Sequence, residues 1–233
     1  MRTLHVVQPG RMAYEPAVQL QRDLVGRMKQ DPDGEDGYLV LLEHLPVVTV
    51  GRTGTLGHVL LSTEELGRRG IAVYETNRGG DVTYHGPGQL VAYPIIRLYQ
   101  HGKDLHGYLR RLERVIVATL STYGIEAAPE PSSEFRKADG TEAPMTGAWV
   151  GDRKIASIGI AVTHWISYHG IALNVLTDLR NYEVIHPCGM PEVRMTSMAE
   201  LLGETPTVVE VGERFAEVLA REFGFEPHPG DGE

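Results

Sequence analysis

Cysteine is almost absent from this chain: Cys188 is the only one in 233 residues. An intramolecular disulfide is therefore excluded, and so is a zinc site built on several thiolates. Long apolar runs are also missing. No stretch approaches the roughly 18 apolar residues that span a bilayer. The opening run from Met1 to Gly10 carries no apolar signal core. A cytoplasmic location without membrane contact is the expectation. Positive charge is scarce, with 22 Lys and Arg against 31 Asp and Glu, a formal charge of −9. That balance argues against nucleic acid as the main partner, because phosphate binding needs a basic face. There is no phosphate loop of the G-x-x-x-x-G-K-[ST] type, no internal repeat and no low-complexity tract.

What is present is an ordinary globular composition with 42% hydrophobic residues, enough to bury a sizeable core. Residues 14–29 read as an amphipathic helix with Ala17, Leu20, Leu24 and Met28 at helical spacing. Asp31-Pro32-Asp33-Gly34 ends it. Short β-forming runs at 38–42 and 47–50 read as strands, joined by a turn at 43–46. Ser62 stands three residues before Glu65, the spacing of a capping box. Residues 71–74 and 90–96 are further strands, and Pro94 predicts an edge or a bulge in the second. Residues 104–123 give the strongest helix pattern, with Leu105, Leu109, Leu112, Ile116 and Leu120 along one face and Gly124 closing it. Residues 129–144 form a polar loop. Strands follow at 148–150, 154–162 and 166–173, the first two joined by a Gly151-Asp152 hairpin turn. A last amphipathic helix spans 207–223. Hairpins outnumber long crossovers, which predicts an α+β fold with a mixed, largely antiparallel sheet and flanking helices. Residues 1–226 are expected to form one domain, and 227–233 a disordered tail.

Four segments concentrate the chemistry. The densest is Arg78-Gly79-Gly80-Asp81-Val82-Thr83-Tyr84-His85-Gly86-Pro87-Gly88-Gln89, in which five of twelve residues are Gly or Pro. Such backbone serves an ordinary double turn, or lets the main chain approach a ligand closely. In the second, Lys154 opens an apolar strand, either as a solvated end or as a lysine snorkelling from the sheet rim. Small residues Ser157 and Gly159 alternate there with Ile158 and Ile160. The third is Tyr168 to Asn174. In the fourth, Cys188 stands between Pro187 and Gly189. A lone cysteine is by default a small buried hydrophobe, but a Pro-Cys-Gly turn gives a thiol the access that a nucleophile needs. Arg110, Arg111 and Arg114 cluster on one helix, either as a solvated face or as a dock for an acidic carrier protein.

The run R-G-G-D-V-T-Y-H-G-P-G-Q-L at 78–90 resembles the signature of the octanoyltransferases of lipoate biosynthesis. Glu43-His44, Gly51-Arg52, Lys154-Ile155-Ala156-Ser157-Ile158-Gly159, His169-Gly170-Ile171-Ala172-Leu173-Asn174 and Pro187-Cys188-Gly189 follow in the family's order, from about residue 5 to 222. The polar loop at 132–144 is the main departure. The resemblance implies the α+β catalytic domain shared with biotin and lipoate protein ligases. It implies transfer of an octanoyl or lipoyl group from acyl carrier protein to a lysine of lipoyl domains, through a thioester on Cys188 with Lys154 as acid and base. The acceptors implied are the lipoyl domains of 2-oxoacid dehydrogenases and the glycine cleavage H protein. The substrate-binding residues implied are Arg78, Gly79, Gly80, Asp81, Val82, Thr83, Tyr84, His85, Ser157, Ile158, Gly159, Gly170, Ile171 and Ala172, with no metal and no cofactor.

The chemistry agrees. A thiolate is the nucleophile, and an adjacent ammonium stabilises it. Thioester exchange is nearly isoenergetic and amide formation is downhill, so no ATP is needed. Backbone N–H groups near Gly189 or Gly159 are candidates for the oxyanion. His85, His169 and His186 lack the spacing of a metal motif and are expected to orient loops or to hydrogen-bond the acyl carbonyl. The competing readings are an ATP-dependent lipoate or biotin ligase of the same fold, a cysteine thioesterase, and a non-catalytic acyl-binding module.

Overall fold

A computed structural model of the chain describes residues 2–34, 36–133 and 146–229. The strands are β1 (Thr3–Met12), β2 (Gly37–His44), β3 (Val47–Val50), β4 (Ala72–Glu75), β5 (Val82–His85), β6 (Gln89–Ile95), β7 (Gly147–Val150), β8 (Arg153–Thr163), β9 (Ile166–Asn174), β10 (Arg194–Met195) and β11 (Glu226–Pro229). The helices are α1 (Tyr14–Gln30), α2 (Thr63–Arg68), α3 (Leu105–Ser121), α4 (Met198–Leu201) and α5 (Val208–Phe223). An eight-stranded mixed sheet runs β10-β8-β9-β6-β2-β1-β11, with β7 also paired to β8; a three-stranded sheet runs β4-β3-β5. This is the mixed α+β architecture the pattern predicts.

The large sheet is covered on both faces, so its central strands are apolar without alternation. In β2, Leu39 and Leu41 join the core under α3 and α5, with Leu112, Ile116, Phe215 and Leu219. Val40 and Leu42 point the other way, to Ala17, Leu24, Val25 and Met28 of α1. The small sheet has its own core of Val48, Val50, Leu66, Val82, Tyr84 and Tyr182. Helix starts follow their chemistry. Ser62 and Thr207 each close a capping box, with Glu65 and Glu210. Gly124 adopts the left-handed φ of +74° that a residue ending a helix often takes.

Several local expectations are corrected. Glu43 and His44 belong to β2 rather than to a turn. Pro94 lies in a central strand: β6 pairs with β2 across Leu39↔Pro94. Its pairing to β9 stops at Ala92↔Ile171, and the Ser167 hydroxyl donates to the Pro94 carbonyl at 2.9 Å. The missing N–H therefore falls in a gap of the ladder. Leu105 is exposed, and Tyr108 takes its place in the core. Residues 226–229 do not fray; Glu226–Pro229 pairs in parallel with Thr3 to Val6 at the sheet edge, where Pro227 and Pro229 need no central position. Of the polar loop, residues 134–145 lie outside the described residues, as do 230–233 of the tail.

One topological detail sets up the site. Strand β8 has β9 beside it from Ala156 onward, but at Arg153 and Lys154 its partner is β10. The Thr196 N–H also donates to the Lys154 carbonyl at 2.9 Å. The segment carrying Cys188 feeds directly into β10, so the change of partner brings Cys188 to Lys154.

Candidate active site

Cys188 sits in a tight turn. The Gly189 N–H donates to the His186 carbonyl at 2.8 Å and the Met190 N–H to the Pro187 carbonyl at 3.0 Å. Cys188 itself is left-handed, with φ 58° and ψ 19°, a conformation that costs a non-glycine residue on the order of 1–2 kcal/mol. The turn rests on Trp149, Met190 and Val193. The thiol is half-buried rather than sealed in the core.

Lys154 is only 2% exposed, so it neither ends a strand in solvent nor snorkels to the rim. Its Nζ donates to Cys188 Sγ at 3.3 Å and lies 5.1 Å from the centre of the Trp149 ring, close enough for a cation–π contact. Gly147 makes room for the lysine stem. Its φ is +149°, and a Cβ there would lie 2.9 Å from Lys154 Cε. No carboxylate forms an ion pair with Lys154 among the described residues, so the thiol sulfur is its polar partner in the cleft.

The pair opens on a cleft of about 770 Å³, its solvent-facing mouth included. Arg78, Gly80, Asp81, Val82, Thr83, His85, Ser157, Ile158, Gly159, Gly170, Ile171 and Ala172 all line it, beside Lys154 and Cys188. Two residues named from the sequence do not. Gly79 donates its N–H to the Ile160 carbonyl at 2.8 Å and ties the loop to β8. The Tyr84 ring turns into the small sheet's core, 5.6 Å from Tyr182. The Gly189 N–H is already engaged by His186, which removes it as an oxyanion donor. The arginines of α3 are paired: Arg110 with Glu113 and Glu130, Arg111 and Arg114 with Glu222. Those carboxylates offset the positive face that a docking site would need.

Tyr14, Thr53, Tyr93, Thr146 and His169 also line the cleft, and the sequence pattern does not single out the first four. Tyr14 and Tyr93 lie in apolar patterns where a tyrosine reads as core. The usable signal is that a buried phenol needs a partner, and the nearby histidines are such partners. Tyr93 donates to His44 Nε2 at 2.6 Å, and His44 Nδ1 donates to the Met12 carbonyl at 3.2 Å. Tyr14 donates to Thr76 at 3.0 Å. His85 Nδ1 donates to Gln89 Oε1 at 2.8 Å, and His169 Nε2 to Asn77 Oδ1 at 2.9 Å. Each ring thereby has one assigned tautomer.

Burial holds these histidines neutral. It lowers His44 from 6.5 to about 4. Burial and then the Arg78 charge lower His169 to about 3. His85 is pushed well below its ordinary range by burial first and by His44 and Arg78 next. Burial likewise raises the Tyr93 phenol well above 10. Arg78 is the charged group at this end. Its guanidinium donates to the Thr49 hydroxyl and carbonyl and to the Gly79 carbonyl, at 2.6 to 3.1 Å. Burial pushes its pKa below the ordinary guanidinium range. The cleft thus combines the Cys188–Lys154 pair with apolar walls, neutral histidine rings and the Arg78 guanidinium.

The description "Lipoyl protein ligase A/B catalytic domain" belongs to a family model that matches residues 13–220. An octanoyltransferase of Solibacter usitatus is 46% identical, covering 99% of this chain and 97% of that protein. An octanoyltransferase of Chloroflexus aurantiacus is 41% identical, covering 97% of each. Among solved structures, a T. acidophilum protein with bound lipoic acid superposes with a TM-score of 0.73 at 16% identity, covering 98% of this chain and 89% of that one. A lipoate-protein ligase A bound with ATP gives 0.69 at 16% identity, covering 97% and 87%. These two likenesses speak to the fold; the sequence matches speak to descent, and by them the chain belongs to the octanoyltransferases of the lipoyl protein ligase A/B catalytic domain family.

Proposed function

We propose that this enzyme transfers an octanoyl or lipoyl group from acyl carrier protein, through a thioester on Cys188, to a lysine of a lipoyl domain. The observation that carries the reading is the 3.3 Å contact between Lys154 Nζ and Cys188 Sγ in the wall of the cleft. In the first half-reaction Lys154 takes the thiol proton, and the thiolate attacks the carbonyl of the incoming thioester. The tetrahedral intermediate collapses, the carrier's thiol leaves with that proton, and the acyl group stays on Cys188. In the second half Lys154 accepts the proton of the acceptor lysine's amine as it attacks. The amide forms and the Cys188 thiolate is released.

The acyl chain has a reason to enter. Val82, Ile158, Ile171 and Ala172 supply apolar wall, and each buried methylene gains about 0.8 kcal/mol. His85 and His169 are held neutral by burial, so they add no charge to the walls that an apolar chain would meet. Arg78, Gly80, Asp81, Thr83, Ser157, Gly159 and Gly170 act on this reading as the binding residues around the carbonyl and the chain. The acceptors are the lipoyl domains of 2-oxoacid dehydrogenases and the glycine cleavage H protein, and the reaction takes place in the cytoplasm.

Incubation with octanoyl carrier protein in the absence of ATP tests the reading by mass spectrometry. One octanoyl group on Cys188, passed on when a lipoyl domain is added, is the expected result. Activity that requires ATP and survives Cys188→Ala would identify a ligase instead. Release of free octanoate without an acceptor would identify a thioesterase.

A further inference from the structure

The turn that carries Cys188 is held from a segment the proposed mechanism does not use. Residues 56–60 run alongside residues 184–186. The Leu60 N–H donates to the Val184 carbonyl at 2.8 Å, Val59 and Ile185 form an antiparallel bridge, and the His186 N–H donates to the His58 carbonyl at 2.8 Å. The His58 side chain then turns toward Asp81, with Nδ1 2.9 Å from Oδ1. Asp81 is itself fixed. Its Oδ1 accepts the Val82 N–H at 2.8 Å, its carbonyl accepts the Gly51 N–H at 3.0 Å, and its side chain is 9% exposed.

Gly189, the residue after the nucleophile, lies directly against this pair. A Cβ at that position would come within 2.5 Å of Asp81 Oδ2 and within 2.7 Å and 2.9 Å of His58 Cε1 and Nδ1. Gly189 is also left-handed, at φ +71°. His58 therefore meets the turn twice, by its carbonyl before Cys188 and by its ring after it. Cys188 stands between those two contacts in a conformation that its own backbone does not favour. Released from them, the turn would relax and carry Sγ away from Lys154.

We infer that His58 is a positioning residue: its ring, anchored on Asp81, is the floor that holds the Cys188–Gly189 turn so that the sulfur faces Lys154. The inference rests on the proposed role of Cys188 as nucleophile. The imidazole acts through the turn, and its working feature is the Nδ1–H donated to Asp81.

Asparagine separates this role from proton transfer, because its Nδ2 lies near the position of Nδ1 and donates without acting as an acid or base. In the full chain Cys188 is the only thiol, so iodoacetamide reads the turn with no acyl donor present. His58→Ala should slow alkylation, and kcat for octanoyl transfer, on the order of tenfold, with KM for the acyl donor within about twofold. His58→Asn should restore both rates to within about threefold of the parent. Gly189→Ala should slow alkylation as His58→Ala does. Alkylation of His58→Ala at the parent rate overturns the inference. So does a His58→Asn variant that folds and remains as slow as His58→Ala, since the imidazole would then be acting as an acid or base. If His58→Ala fails to fold, the asparagine and Gly189→Ala variants decide alone. Failure of the octanoyl adduct on Cys188 would sink the proposed function but leave the alkylation result standing.

Discussion

Lowering the pH from 7 to 5 should destabilise this protein through its buried histidines. His44 and His169 are 0% and 2% exposed, and burial lowers them from 6.5 to about 4 and about 3. In the unfolded chain both rings bind protons as the pH falls through 6.5; in the folded protein they stay neutral to about 4 and below. The unfolded state therefore gains protons across this window and the folded state does not. The stability is fully present above 6.5 and is lost progressively as the pH drops toward the folded values. At pH 5 the loss is about 2 kcal/mol for each ring, or about 4 kcal/mol for the two. His85 adds to it with the same sign. The carboxylates whose pKa values are lowered in the fold, Asp36, Glu65, Asp178 and Glu210, contribute mainly below this range. Guanidinium unfolding at pH 7, 6 and 5 measures the loss, and NMR of the ring Cε1–H groups identifies its source. An unchanged midpoint between pH 7 and 5 would refute the reasoning, as would His44 or His169 titrating near 6.5 in the folded protein.

Three further outcomes are expected. Gly170→Ala places a Cβ 2.2 Å from the Ala92 carbonyl and 2.8 Å from Pro94 Cδ, so β6 and β9 must part; a loss of roughly 1–3 kcal/mol should appear in denaturant unfolding, and an unchanged midpoint would mean that the strands do not approach so closely. Lys154→Met keeps the bulk of the buried stem but removes the charge beside Cys188. It should slow alkylation at pH 7 on the order of tenfold, and equal rates would remove Lys154 from the pair. Thr207→Ala removes one half of the capping box at the start of α5 and should cost about 1 kcal/mol, read as a lower thermal midpoint with transfer activity retained.

The sequence made elements legible where the signal is local. Ser62 with Glu65, Thr207 ahead of α5, and the Gly151-Asp152 turn are short-range devices whose residues carry their own geometry. Residues whose meaning comes from a distant partner were read less well. Pro94 looks like an edge or bulge residue because its ladder partner, Leu39, and the Ser167 hydroxyl that donates to its carbonyl both lie far away in the chain. Leu105 looked like core because periodicity counts leucines and does not see where the neighbouring layer ends. Residues 227–229 look like a tail because their partner, β1, is at the other end of the chain. Tyr84 was grouped with its motif neighbours, but its ring serves the small sheet's own core.

The nucleophile itself joins the two kinds of information. Pro187 and Gly189 announce a turn, and a turn gives a thiol access, but nothing within ten residues of Cys188 supplies an ammonium. That ammonium is 34 residues earlier, on a strand that reads as apolar, and it reaches the sulfur because β8 exchanges β9 for β10 at Lys154. Lys154 is buried there without a carboxylate partner among the described residues, where a packing role alone would be served more cheaply by leucine or methionine. The turn is held in a conformation that cysteine does not prefer. Two unfavourable local arrangements, a buried lysine amine and a left-handed cysteine, meet at one 3.3 Å contact. Their coincidence argues for a chemical role at that contact more strongly than either residue does alone.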